Sequence, residues 1–160
     1  MSKVYDCTKN FEESLCKYTG APYAVAIDNC SNALFLCLEY EKIEGKSITI
    51  PSRTYPSVPC AIIHAKGKVN FSSIEGEYIE GAYQLAPTKV WDSALLFTHN
   101  MYKPNTHMCL SFTGPYKTLK LGKGGAILTD DYKAYLWFKR AAFSGRREVS
   151  YHEDNFDMLG

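Results

Sequence analysis

Short apolar runs bounded by turn residues alternate along this chain with stretches of helical spacing. Asn10 to Tyr18 carries the first helical pattern: Asn10 can cap it, Glu13 sits three residues on as in a capping box, and Gly20 and Pro22 stop it. Tyr23 to Ile27 (YAVAI) is an apolar run between Pro22 and the turn-forming Asp28-Asn29, the pattern of a strand buried on both faces. Ser31 to Glu41 sets Leu34, Cys37, Leu38 and Glu41 at helical spacing, and Ala33, Leu36 and Tyr40 make the other faces apolar too, which predicts a buried helix. Lys46 to Ile50 reads as a strand. Thr54 to Lys66 reads as a helix that tolerates Pro56 and Pro59 only near its first turn, and Lys68 to Phe71 as another strand. Ser72 to Thr88, rich in Gly, Glu and Tyr without a period, predicts an irregular connection with room for one edge strand. Three more strands are expected at Lys89 to Trp91, His107 to Phe112 and Gly125 to Thr129, then a helix from about Asp131 to Ala142.

Alternation of this kind predicts an α/β fold with a mostly parallel sheet. The 160 residues, 46% of them hydrophobic, suffice for one domain with its own core, spanning 1–160. Asp157 to Gly160 adds no cap, charged tail or closing element, so the domain reads as incomplete at its C-terminus. Lysine plus arginine (18) nearly cancel aspartate plus glutamate (17), which leaves no net field to draw in nucleic acid or an anionic membrane. The six cysteines lie scattered in apolar stretches, form neither a CxxC pair nor a metal framework, and suit a reducing compartment. Apolar runs fall short of the roughly 18 to 20 residues a membrane span needs, so a soluble, cytoplasmic protein without a metal site is expected.

In an open α/β sheet, ligands bind beyond the carboxyl ends of the strands, and four such places carry reactive residues. Asp28-Asn29-Cys30-Ser31-Asn32 opens a helix, where free N–H groups and a hydroxyl could seat a phosphate; a plain Asn29 or Ser31 helix cap is the other reading. Tyr55 could cover a flat cofactor or simply fill the core. Asp92 ends an apolar strand, and a carboxylate there needs a partner: a protonated heteroaromatic nitrogen, or the first turn of a helix that it caps. Ser111-Phe112 ends another strand, with Lys117 a few residues on and Gly122-Lys123-Gly124-Gly125 behind it, where glycine allows close backbone approach. Taken alone, Lys117 is a solvated charge.

In this order the segments resemble the DegT/StrS-type sugar aminotransferases, a branch of the fold-type-I pyridoxal-phosphate enzymes. Phe11-Glu12-Glu13 and Gly20-Ala21-Pro22-Tyr23-Ala24-Val25-Ala26 follow the family's opening helix and "G-x-x-Y-A-V-A" strand. Asn29-Cys30-Ser31-Asn32-Ala33-Leu34 is similar to its "small-Gly-Thr-x-Ala-Leu" phosphate turn, and Pro51-Ser52-Arg53-Thr54-Tyr55 to its "P-x-x-T-aromatic" segment. Asp92-Ser93-Ala94 matches "D-x-A". Ser111-Phe112 with Lys117 and Gly122-Lys123-Gly124-Gly125 matches "S-F … K-x-x-x-x-G-x-G-G", with one extra residue ahead of the lysine. Lys117 keeps the family's distance to the glycine pair; Lys120 and Lys123 do not.

The resemblance implies the large, three-layer, cofactor-binding domain of such an aminotransferase, shortened and without the small C-terminal domain. It implies pyridoxal phosphate as cofactor, with Lys117 as Schiff-base lysine and proton shuttle and Asp92 as partner of the pyridine nitrogen. Tyr55 would lie on the ring face, and Cys30, Ser31 and Ser111 at the phosphate. It also implies transfer of an amino group from an amino acid, glutamate, to a keto-sugar nucleotide, in a homodimer or with a C-terminal half supplying the rest of the site. Leu95 and Lys123 depart from the family, which has a glutamine or histidine and an acid there, and the stretch from Phe71 to Lys89 is shorter than the family's. Three readings therefore stand: one part of an aminotransferase, a binding module for pyridoxal phosphate or a nucleotide sugar, or a structural α/β domain in which Lys117 and Asp92 are solvated or capping.

Overall fold

The computed structural model describes residues 3–73 and 78–156. After a 3-10 turn at Lys3–Tyr5, α1 (Asp6–Thr19) leads into β1 (Tyr23–Ile27), then α2 (Cys30–Tyr40), β2 (Ser47–Pro51), α3 (Ser57–His64) and β3 (Lys68–Ser72). The short strands β4 (Tyr78–Ile79) and β5 (Ala82–Gln84) follow, then β6 (Val90–Asp92), β7 (His107–Ser111), β8 (Gly125–Thr129), α4 (Tyr132–Ala141) and a 3-10 turn at Tyr151–Glu153. None of these helices is long and apolar enough to cross a membrane.

Several boundaries follow local chemistry that a pattern reading places differently. Helix α1 starts at Asp6, so Asn10 lies inside it and the capping box with Glu13 does not form; the Asn10 carbonyl instead accepts from the Ser14 hydroxyl one turn on. Its end matches expectation, because Gly20 takes the left-handed conformation (φ 78°) that a helix C-terminus favours. Helix α3 begins only at Ser57, leaving Thr54 and Tyr55 in the connection ahead of it rather than in its first turn. The stretch expected to hold one edge strand contains two, β4 and β5, turning through Glu80-Gly81 with Gly81 at φ 87°; residues 74–77 of it lie outside the described residues, as does the chain end at 157–160.

The main sheet has the order β1-β8-β7-β6-β5-β4. Strands β1, β4, β6 and β7 share one direction, while β5 and β8 run against it, so that β6 and β7 are its parallel neighbours and the sheet is mixed. The reason lies in the connections. A parallel neighbour requires a crossover: 85–89 is too short for one and 112–124 turns back as a loop, so these segments return antiparallel, while the longer loop 93–106 crosses over and sets β7 parallel to β6. Where α3 supplies a crossover, β2 and β3 pair in parallel, and this small sheet meets the main one at Thr49 and Ala86 through N–H···O bonds of 2.8 and 3.1 Å.

The two faces of the main sheet are covered differently. Val25, Ile27, Val90, Cys109 and Ile127 pack under α2, α3 and α4 through Leu34, Leu38, Ile62 and Phe138. Ala24, Trp91, Met108, Leu110 and Leu128 pack under Leu15 of α1 and the loop side chains Leu96, Phe97 and Met101. The strand period of two sends alternate residues to these layers, which gives the three-layer arrangement. Glu12 and Lys139 tie the layers together at one end. Glu12, only 6% exposed, accepts from the Ala26 N–H at 2.9 Å and pairs with Lys139 at 2.9 Å, while Lys139 also meets Glu148 at 2.5 Å.

Candidate functional site

Strand β1 delivers the chain to the start of α2. Asn29 is extended there, and its side-chain oxygen accepts from the Asn32 N–H at 2.8 Å, which makes Asn29 the helix cap. Ser31 is thereby released from capping, and its hydroxyl donates to Ser57 Oγ at 2.7 Å, joining the starts of α2 and α3. The first turn of a helix leaves its N–H groups without intrahelical acceptors, so this end of α2 suits an anion. Gly125 lets the turn sit close to the sheet. A Cβ there would lie 2.7 Å from Asn29 C and Leu110 O and 2.8 Å from Cys30 N, all backbone atoms that cannot swing aside. Gly125→Ala is therefore expected to cost about 2–3 kcal/mol of stability in urea unfolding and to displace the start of α2.

Asp92 closes β6, 6% exposed. Its Oδ1 accepts from the Ala94 N–H and its Oδ2 from the Tyr83 hydroxyl, both at 2.9 Å. Burial pushes the Asp92 carboxyl above its ordinary value, while those two donors and the Lys117 ammonium pull it down. Lys117 lies in the loop between β7 and β8, and its Nζ donates to the Ala94 carbonyl at 2.5 Å. The same two-residue segment after Asp92 thus binds the acid through an N–H and the lysine through a carbonyl.

A cavity of about 460 Å³ opens between these elements, a size ordinary for small-ligand sites, and Cys30, Ser31, Tyr55, Asp92, Ser111 and Lys117 all line it. They differ in posture. Tyr55 is 73% exposed at the mouth rather than part of the core. The Cys30 thiol points away toward the Cys109 carbonyl at 3.6 Å and is pushed well up by burial and by nearby Asp92, so it stays uncharged. Ser111 is half-buried at the end of β7. Of the loop lysines, Lys117 is half-buried in the lining, whereas Lys120 and Lys123 are exposed and outside it. Leu95 also lines the cavity and is largely exposed.

The sequence reading did not single out Tyr83, Arg53 or Thr113, which line the same space. Arg53 stands beside Thr54 and could have been found from that motif. Tyr83 could not, because its register opposite Asp92 follows from the β5–β6 pairing alone.

The sequence profile of the DegT/DnrJ/EryC1/StrS aminotransferase family matches residues 1–90. A comparison with curated proteins gives no match. Among solved structures, PseC of Helicobacter pylori, an aminotransferase involved in pseudoaminic acid biosynthesis, superposes with a TM-score of 0.76 at 15% identity, covering 96% of this chain and 52% of its own. Spr1654 of Streptococcus pneumoniae, assigned as a sugar aminotransferase and solved in its PLP form, gives 0.71 at 18% identity, with 93% and 53% covered. DesV of S. venezuelae, in complex with a ketimine intermediate, gives 0.69 at 17%, with 94% and 51% covered. The chain therefore spans about half the length of these relatives and shares their fold over that half. With more than half of its residues matched by the profile, it belongs to the DegT/DnrJ/EryC1/StrS aminotransferase family.

Proposed function

We propose that this chain holds pyridoxal phosphate and takes part in moving an amino group from an amino acid, glutamate, to a keto-sugar nucleotide. The observation that carries the reading is the placement of Lys117 and the buried Asp92 on one cavity at the start of α2. The donor set suits the cofactor: an anion site for its phosphate, a carboxylate for its ring nitrogen and an amine for its aldehyde. When bound, pyridoxal phosphate supplies an electron sink for the carbon losing or gaining the amino group.

The chain's own residues take separate tasks in this reading. Ser31, Ser111 and the free N–H groups of Cys30 and Ser31 bind the phosphate. Asp92 holds a proton on the ring nitrogen. Tyr55 covers the ring face from the mouth. Lys117 would hold the aldehyde through Nζ and would serve as the group that moves a proton at the substrate carbon. Exposed Tyr55 and Leu95 on the rim support closure by a second subunit or by a C-terminal half of the enzyme. Six free thiols support a reducing, cytoplasmic setting.

Adding pyridoxal phosphate to the protein is expected to produce a visible absorption band, and adding glutamate to convert it to that of the aminated cofactor. No band at saturating cofactor defeats the proposal. A band indifferent to glutamate leaves a cofactor-binding protein without transfer.

A further inference from the structure

Tyr83 stands directly opposite Asp92 in the antiparallel pairing of β5 with β6, so both side chains rise from the same face of the sheet. Its hydroxyl donates to Asp92 Oδ2 at 2.9 Å and is also hydrogen-bonded to Thr54 Oγ1. A phenol has one proton. Since Tyr83 spends it on the carboxylate, the Thr54 hydroxyl must be the donor to Tyr83, and the chain Thr54 to Tyr83 to Asp92 runs one way. Each link polarises the next, and the sum of donors favours the carboxylate over the acid. The Ala94 N–H occupies the other oxygen, so the carboxyl plane is fixed from both ends. Each oxygen keeps a second lone pair for a ligand.

From this arrangement we infer that Tyr83, backed by Thr54, is a positioning residue that keeps Asp92 ionised and aimed into the cavity. The inference deepens the reading of Asp92 as partner of the cofactor's ring nitrogen and rests on it for its purpose, though not for its chemistry. Among the described residues, four titratable groups face Asp92 from the elements around it: Tyr83 from β5, Cys30 from α2, Cys109 from β7 and Lys117 from the β7–β8 loop. Burial and the neighbouring carboxylate keep the Tyr83 phenol protonated, and burial keeps both thiols neutral. Lys117 is then the one cation of the four, but its ammonium bonds the Ala94 carbonyl and, in the proposed reading, would be committed to the cofactor aldehyde. Tyr83 remains as the donor that sustains the charge.

The test uses the ligand-free protein with carbon-13-labelled aspartate, following the Asp92 carboxyl by NMR as pH is varied. Tyr83→Phe keeps the ring and removes the donor, and is expected to raise the Asp92 midpoint by about one to two pH units, the worth of one hydrogen bond to a charge. Thr54→Val is expected to shift it less, in the same direction. With pyridoxal phosphate added, Tyr83→Phe is expected to bind about tenfold more weakly below the raised midpoint and to converge on the parent protein above it. An unchanged Asp92 midpoint in Tyr83→Phe overturns the inference; should that variant fail to fold, no shift in Thr54→Val does so. A shifted midpoint in a protein that never takes up cofactor upholds the positioning role and defeats the cofactor reading instead.

Discussion

Lys117→Ala is expected to abolish the visible band that the parent protein forms with pyridoxal phosphate, while Lys120→Ala and Lys123→Ala keep it. The three lysines share one loop and one charge, so composition cannot rank them. Geometry does: Lys117 reaches inward to the Ala94 carbonyl and lines the cavity, and the other two side chains stand in solvent. Alanine at 117 also takes away the ammonium that lowers the Asp92 carboxyl, which is therefore expected to rise further. Ser31, Ser111 and the start of α2 remain, and weak noncovalent uptake of the cofactor is expected to persist. Any residual transfer should fall by about 10²–10⁴, the usual worth of a positioned proton-transfer group. Borohydride reduction followed by peptide mass mapping provides the independent check. A pyridoxyl label on Lys120 or Lys123, or a band that survives in Lys117→Ala, would remove Lys117 from its assigned role.

Lys139→Met is expected to destabilise the fold by about 3–5 kcal/mol at neutral pH, because it removes one partner from a buried ionic cluster and leaves the others. Lys139 Nζ lies 2.9 Å from both Glu12 oxygens and 2.5 Å from Glu148. The two partners shift in ways that look contradictory: Lys139 is raised, as a favourable pair requires, yet Glu12 is raised as well. Depth resolves this. Burial costs the Glu12 charge more than Lys139 and the Ala26 N–H return, whereas Lys139 is held by two carboxylates at once. Without Lys139 the Glu12 carboxyl climbs further above its unfolded value of 4.5. A carboxyl raised in the folded state binds protons more readily there than in the unfolded chain, so stability rises as pH falls through the folded value and levels off below the unfolded one. The deficit of the variant should thus be largest at neutral pH and shrink toward pH 4.5, as read by urea unfolding across that range. Adding Glu12→Gln to Lys139→Met should recover part of the loss at neutral pH. An equal deficit at every pH would mean that packing, not charge, carries the effect.

Much of the element order was legible because it rests on neighbours in the chain. YAVAI is a strand from Tyr23 to Ile27, Asp131 caps α4 by accepting from Lys133 and Ala134, and Gly20 ends α1, each through contacts a few residues long. Even there, similar local signals could compete. Asn10 and Glu13 have the spacing of a capping box, but the helix begins a turn earlier, at Asp6, and no side chain caps it.

Cys30, Ser31, Tyr55, Asp92, Ser111 and Lys117 stand at or a few residues after strand ends, and the rule that strand ends of such a sheet share one edge suffices to gather them on one cavity. What the sequence determined by itself was therefore this order of elements and the set of chemical groups presented at that edge. The tertiary structure alone decided the strand directions, the Tyr83–Asp92 pairing across β5 and β6, and the bond between Glu12 and Lys139, 127 residues apart. The physical reason is that propensity and capping act within a turn or two, whereas these contacts exist only after distant segments have packed and excluded water, when a buried charge must find whichever partner the fold has brought beside it.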